Sequence, residues 1–183
     1  MYKITLDTNC LIDIEERRTG YENILEIYNL HRNKKIQIAV VASSAVDKKI
    51  SKRPITNFME FRVWLKNIGF EDIEFLCPIC YTNISFMDYS VLSGPELEKL
   101  DHEIHAVLFP KLPFEGPSPE IRAKWVNAKN DVLIMWAHIW NKRDFFITRD
   151  GNFLKNSKRE PLEELGAKCI LTPEQFLERI GNL

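Results

Sequence analysis

The sequence predicts an α/β fold, with about five strands in a mostly parallel sheet and helices on both faces. Three observations predict it. Short apolar or β-branched runs alternate along the chain with segments of helical periodicity. Capping residues stand at several strand-to-helix junctions. No internal repeat or low-complexity stretch interrupts the alternation. Strands joined by helices pair in parallel and need helices on both faces of the sheet.

Residues 4–6 are a short apolar run ahead of Asp7-Thr8-Asn9, then Cys10-Leu11-Ile12, which reads as strand, polar turn and helix. Residues 21–32 place Ile24, Ile27, Tyr28 and Leu30 at helical spacing. Residues 36–41 are β-branched and apolar, a buried strand, and Ser43 or Ser44 caps a following helix through Asp47. Phe58, Phe61, Trp64, Leu65 and Ile68 mark an amphipathic helix closed near Gly69, and residues 73–76 a third strand. A helix is expected at 95–108, a proline-rich loop at 110–119 and a helical turn or more at 120–126. Residues 131–140 read as an apolar helix beginning at Asp131, and 145–148 as the fourth strand. A short helix at 161–165 stops at Gly166, and residues 168–171 form the fifth strand. Thr172 caps the last helix, with Pro173 in its first position.

The 183 residues suit a single domain, with 51–119 as a largely helical elaboration. With 45% hydrophobic and 28% charged residues, the composition is that of a globular protein. No apolar run reaches the roughly 18 residues of a membrane span. No signal-peptide pattern opens the chain, so the cytoplasm is expected and a membrane partner is not. The net charge of −1 gives no overall basic footprint for nucleic acid. A local basic run, Arg32, Lys34, Lys35, Lys48, Lys49, Lys52 and Arg53, reads as a solvated face, or as a phosphate grip if it lies beside a site. Cys77 and Cys80 lack the second pair of a structural zinc site and are read as buried, inert thiols, with Cys10 and Cys169 far away in apolar segments. Asp101-His102-Glu103-Ile104-His105 lacks the histidine spacing of zinc peptidases and reads as a solvated helix face.

Four acids are candidates for one site. Ligands of an open parallel sheet bind beyond the carboxyl ends of its strands. Asp7 and Asp150 each follow a strand directly. A helix from Asp131 descends about 16 Å at 1.5 Å per residue, and the next strand climbs about the same. Asp131 and Asp150 therefore reach one edge, and Asp47 lies near it. Singly, each has a bland role as a cap, a turn or an exposed acid. Together they repel, and a hard divalent cation with oxygen ligands relieves the repulsion.

The segment Ile4-Thr-Leu-Asp7-Thr-Asn9-Cys-Leu-Ile-Asp13 resembles the opening of PIN-domain nucleases. So do Asp131-Val-Leu-Ile-Met-Trp-Ala137, Phe146-Ile-Thr148-Arg-Asp150-Gly-Asn152-Phe153 and the closing Ile170-Leu-Thr-Pro-Glu-Gln-Phe-Leu177. The resemblance covers both ends of the chain well and the middle poorly. It implies a three-layer α/β/α fold, Mg²⁺- or Mn²⁺-dependent cleavage of RNA, and metal ligation by Asp7, Asp131 and Asp150. Where the family usually has a glutamate, this chain has Asp47, and a further acid two residues after Asp150 is here Asn152.

Phosphodiester hydrolysis needs an activated water and a sink for developing charge, which such ions supply. Asp47 is expected to ligate a second ion or orient the water. Asn9, Thr148 and Asn152 are expected to hold carboxylates and substrate through hydrogen bonds. The expected partner is single-stranded RNA, with an antitoxin protein and a second copy of the chain as candidates for further partners. A phosphatase with an aspartyl nucleophile is disfavoured, because position 9 is Asn rather than Asp. A PIN-like protein that has lost turnover and only binds RNA or a protein is the second reading.

Overall fold

The computed structural model describes residues 1–43, 49–50, 53–55, 57–81, 84–92 and 94–181. Asp47, Lys48 and Lys52 lie outside the described residues, as does the helix expected to carry Asp47. The strands are β1 (Tyr2–Leu6), β2 (Ile36–Val41), β3 (Lys49–Ile50), β4 (Arg53–Pro54), β5 (Glu74–Leu76), β6 (Phe145–Ile147) and β7 (Ile170–Leu171). Five of them form one all-parallel sheet in the order β5-β2-β1-β6-β7, while β3 and β4 pair antiparallel by themselves. The helices are α1 (Thr8–Glu16), α2 (Tyr21–Arg32), α3 (Phe58–Asn67), α4 (Pro95–Leu108), α5 (Arg122–Trp140), α6 (Gly151–Leu154), α7 (Asn156–Leu162) and α8 (Pro173–Gly181).

Strand alternation splits the core into two apolar layers, one on each side of the sheet. Ile4, Leu6, Ile38, Val40, Phe145 and Ile147 face α1, α2, α3 and α8, packing on Leu11, Ile27, Phe61 and Phe176. Ala39, Val41 and Phe146 face α4 to α7, packing on Ile104, Val132, Trp136, Phe153 and Leu162. The fold is therefore a three-layer α/β/α arrangement. The helices after β1 and β2 cover the first face, and those after β5 and β6 the second. The switch falls between β1 and β6, where two diverging connections open a crevice at the carboxyl edge.

Buried polar groups lock this register. The Arg143 guanidinium donates to the Ile4 carbonyl at 2.8 Å, the Gln37 carbonyl at 2.9 Å and the Glu74 carboxylate at 2.6 Å, joining β1, β2 and β5. His138 of α5 is fully buried between Thr5 of β1, with Oγ1 2.9 Å from Nδ1, and the Ala167 carbonyl, 3.0 Å from Nε2. A carbonyl only accepts, so Nε2 carries the proton and Nδ1 accepts from the Thr5 hydroxyl. Burial pushes the imidazole pKa down to about 4, so the ring is neutral.

Three sequence expectations are corrected. Asp131 does not begin its helix: α5 runs unbroken through residues 122–140, and Asp131 sits in its tenth position. The polar stretch Asn127-Ala128-Lys129-Asn130 hides the continuity, because it looks solvated. Lys129 and Asn130 are in fact fully buried, on the helix that packs against α4. The Asp101 face of α4 is not solvated either. Asp101 and His105 are buried, and the Asp101 carboxylate lies 3.1 Å from the Lys129 ammonium and accepts from the Tyr81 hydroxyl at 2.8 Å. Finally, Cys77 and Cys80, expected to be buried, are half-buried free thiols just after β5. Arg32, Lys34 and Lys35 are exposed, in keeping with the reading as a solvated face, and lie just ahead of β2, at the amino edge of the sheet and opposite the crevice. The stretch 51–119 holds α3 and α4, but also β4 and β5, the latter pairing with β2 at the sheet edge.

Candidate active site

Leu6 pairs with Ile147, so the residues that follow, Asp7 and Thr148, stand side by side at the carboxyl edge. Asp7 is 4% exposed and three donors converge on its carboxylate. Thr8 N–H donates to Oδ1 at 2.7 Å, while the Asn9 amide at 2.8 Å and the Thr148 hydroxyl at 2.6 Å donate to Oδ2. With its proton given to Asp7, the Thr148 oxygen accepts from the Asn9 amide at 3.1 Å and from Asp150 N–H at 2.9 Å. One hydroxyl thus ties the carboxylate after β1 to the backbone after β6. Asn9 closes the ring, its Oδ1 accepting Arg149 N–H at 3.1 Å.

The same interactions explain the local folding. Asp7 caps α1 through Thr8, and Asp150 caps the short α6 through Asn152 N–H, 2.7 Å from Oδ1. Arg149 anchors the loop between them from behind. Its guanidinium pairs with Asp13 at 3.1 Å, donates to the Gly20 carbonyl at 2.9 Å and pairs closely with Glu174, so α1, α2 and α8 hold it together.

Asp131 is half-buried on α5. Asp131 and Asp150 both act on the ammonium of Lys158, a residue of α7, favouring its charged form. The Lys158 ammonium donates to Asn152 Oδ1 and, at 2.6 Å, to the Leu108 carbonyl at the end of α4. Burial, and then Lys155, still leave its pKa below the ordinary value. Cys10, beneath the site, is buried and its thiol pKa is raised by burial, then by Asp7 and Asp13, so it is an inert thiol.

Among the described residues no group of three His, Cys, Asp or Glu side chains is gathered tightly enough to hold a metal ion. The donor chemistry at the crevice, all carboxylate, amide and hydroxyl oxygen, fits a hard divalent cation and excludes a soft one. Asp150 Oδ2 has no hydrogen-bond partner among the described residues, whereas Asp7 Oδ2 already receives two donors. The carboxylate oxygen that Asp150 leaves open at this edge therefore fits such an ion in its donor chemistry.

Compared with known proteins, the chain has no significant match to any family model, curated protein or solved structure. Among the described residues no helix is long and apolar enough to cross a membrane.

Sequence reasoning singled out Asp7, Asn9, Asp131, Thr148, Asp150 and Asn152. The structure joins Asp7, Asn9, Thr148 and Asp150 in one hydrogen-bonded ring and brings Asn152 onto Asp150, while Asp131 acts together with Asp150 on the charge of Lys158. Sequence reasoning missed Lys158 and the Asp13–Arg149–Glu174 anchor. Lys158 carries no sequence signal, because its place depends on how α7 folds back on α4.

Proposed function

We propose that this chain is a PIN-type ribonuclease that hydrolyses phosphodiester bonds of single-stranded RNA with Mg²⁺ or Mn²⁺. One observation carries the reading. Asp7 and Asp150 stand at the carboxyl ends of adjacent strands, at the crevice where the sheet's connections diverge, joined through Thr148. Asp7, Asp131 and Asp150 would hold the ion, which when bound supplies an activated water and neutralises charge on the phosphoryl oxygens. Thr148 and Asn9 fix the Asp7 carboxylate, and Arg149 holds the loop that presents Asp150. Asp47, outside the described residues, is assigned to a second ion or to orienting the attacking water. A toxin role, an antitoxin partner, a homodimer and a cytoplasmic setting belong to the same reading.

The test is cleavage of a labelled single-stranded RNA with Mn²⁺, Mg²⁺ or chelator. The wild type cuts with either ion and is silent in chelator. Asp7→Asn and Asp150→Asn do not cut, because Asn keeps the shape and removes the charge. Cleavage by Asp7→Asn at the wild-type rate refutes the metal-site reading. A second reading, RNA binding without turnover, is favoured by the amide at position 152 and the ammonium resting on it. It predicts RNA binding with no cleavage under any ion.

A further inference from the structure

We propose that Lys158 is a phosphate-binding residue of this crevice, its ammonium a fixed positive charge that takes a non-bridging oxygen of the RNA backbone. The inference rests on the proposed reading of the site as one for RNA.

The ammonium is fixed in place by neutral groups. It donates to the Leu108 carbonyl at 2.6 Å and to Asn152 Oδ1, and lies 5.5 Å from the centre of the Phe109 ring. Leu108 ends α4, and the unsatisfied carbonyls at a helix C-terminus attract a cation. Lys158 is half-buried, and among the described residues no carboxylate is within ion-pairing distance of its ammonium. An ammonium has three donors, and two are used on uncharged oxygens. Its charge is therefore held, partly desolvated and not cancelled by direct contact. Asp150 and Asp131 favour its charged form without pairing with it, against burial and Lys155, which disfavour that form.

Those two carboxylates are among those assigned to the ion that would meet the reacting phosphodiester. A localised, unneutralised cation beside them suits an anion that bridges both, which a phosphodiester does. The geometry also accounts for Asn152. An acid there would form a salt bridge with Lys158 and cancel its charge. The amide holds the ammonium and leaves the charge available.

A lysine that serves only to clip α7 to α4 would look similar in a stability measurement, so the test reads the charge itself. Binding of a fluorescent single-stranded RNA is followed by anisotropy in chelator, where RNA stays intact, across a series of salt concentrations. The variants are Lys158→Met, Lys158→Arg and Asn152→Asp. Lys158→Met is expected to weaken binding about tenfold. It should also flatten the slope of log K against log salt by about 0.7, one phosphate contact on a single strand. Lys158→Arg should keep both affinity and slope. Asn152→Asp should reproduce the loss with the lysine still present, which covers the case in which Lys158→Met folds poorly. Unchanged affinity and slope in Lys158→Met and Asn152→Asp overturn the proposal, as does a wild type that does not bind RNA. Loss of binding in these variants, from a protein that never cuts RNA with Mn²⁺, upholds the role of Lys158 and refutes only the nuclease reading.

Discussion

His138 makes the fold sensitive to mild acid. In the folded chain its imidazole is neutral, with Nε2 donating to Ala167 and Nδ1 accepting from Thr5, and its pKa lies at about 4 against an ordinary 6.5. Between these values the unfolded chain binds a proton that the folded chain refuses. Stability is therefore intact above 6.5, falls as pH drops below it, and levels off below about 4. At about 1.36 kcal/mol per pH unit the interval limits the loss to about 3 kcal/mol, of which about 2.5 has gone by about pH 4.5. His138→Gln keeps a donor and an acceptor without titrating. The assay is urea denaturation of both proteins at neutral pH and at about pH 4.5. The wild type should lose about 2.5 kcal/mol more than the variant over that interval. Equal losses would show that His138 does not titrate as its burial requires.

The Lys129–Asp101 pair has both side chains essentially inaccessible, with the ammonium 3.8 Å from the Phe114 ring centre and 4.2 Å from that of Tyr81. Lys129→Met leaves the Asp101 charge buried, and should cost about 3–5 kcal/mol in urea denaturation. Adding Asp101→Asn should recover most of that loss. Thr148→Val keeps the shape but removes the bridge between Asp7 and Asp150. It should cost about 1–3 kcal/mol in stability and most of the RNA cleavage; cleavage at the wild-type rate would remove Thr148 from the site. Gly20 has φ +81°, and a Cβ there would lie 2.6 Å from Arg149 Nη2. Gly20→Ala should lower stability by about 1–2 kcal/mol, read as a drop in melting temperature.

Much of the site was legible because it depends on short-range grammar. Asp7 and Asp150 follow apolar strand runs, and parallel pairing through helical crossovers sets both at one edge. Neither step needs long-range packing. Asp131 could be placed at the same end although its helix was misjudged, because the descent from Asp131 to the turn near Lys142 is the same whether or not α5 begins earlier. What could not be read is what tertiary burial decides. Lys129 and Asp101 look like solvated charges until α4 and α5 are packed, when each becomes the other's counter-ion. Lys158 meets Leu108 only because α7 folds against α4, a contact across 50 residues of sequence. Arg32, Lys34 and Lys35 left two readings open in the sequence, a solvated face or a grip for phosphates, and their place ahead of β2, at the far edge, favours the first.

The central claim is that the carboxylates between β1 and β6 hold a divalent ion against the scissile phosphate. The most direct measurement replaces a non-bridging oxygen of that phosphate with sulfur. Hard Mg²⁺ binds sulfur poorly, and softer Mn²⁺ binds it better. In Mg²⁺, one of the two phosphorothioate diastereomers should be cut far more slowly than normal RNA, and Mn²⁺ should restore its rate, with Asp150→Asn inactive in both. An RNA cut equally well with oxygen or sulfur in Mg²⁺, or a rate that Mn²⁺ does not restore, would contradict direct contact between the ion and the phosphate.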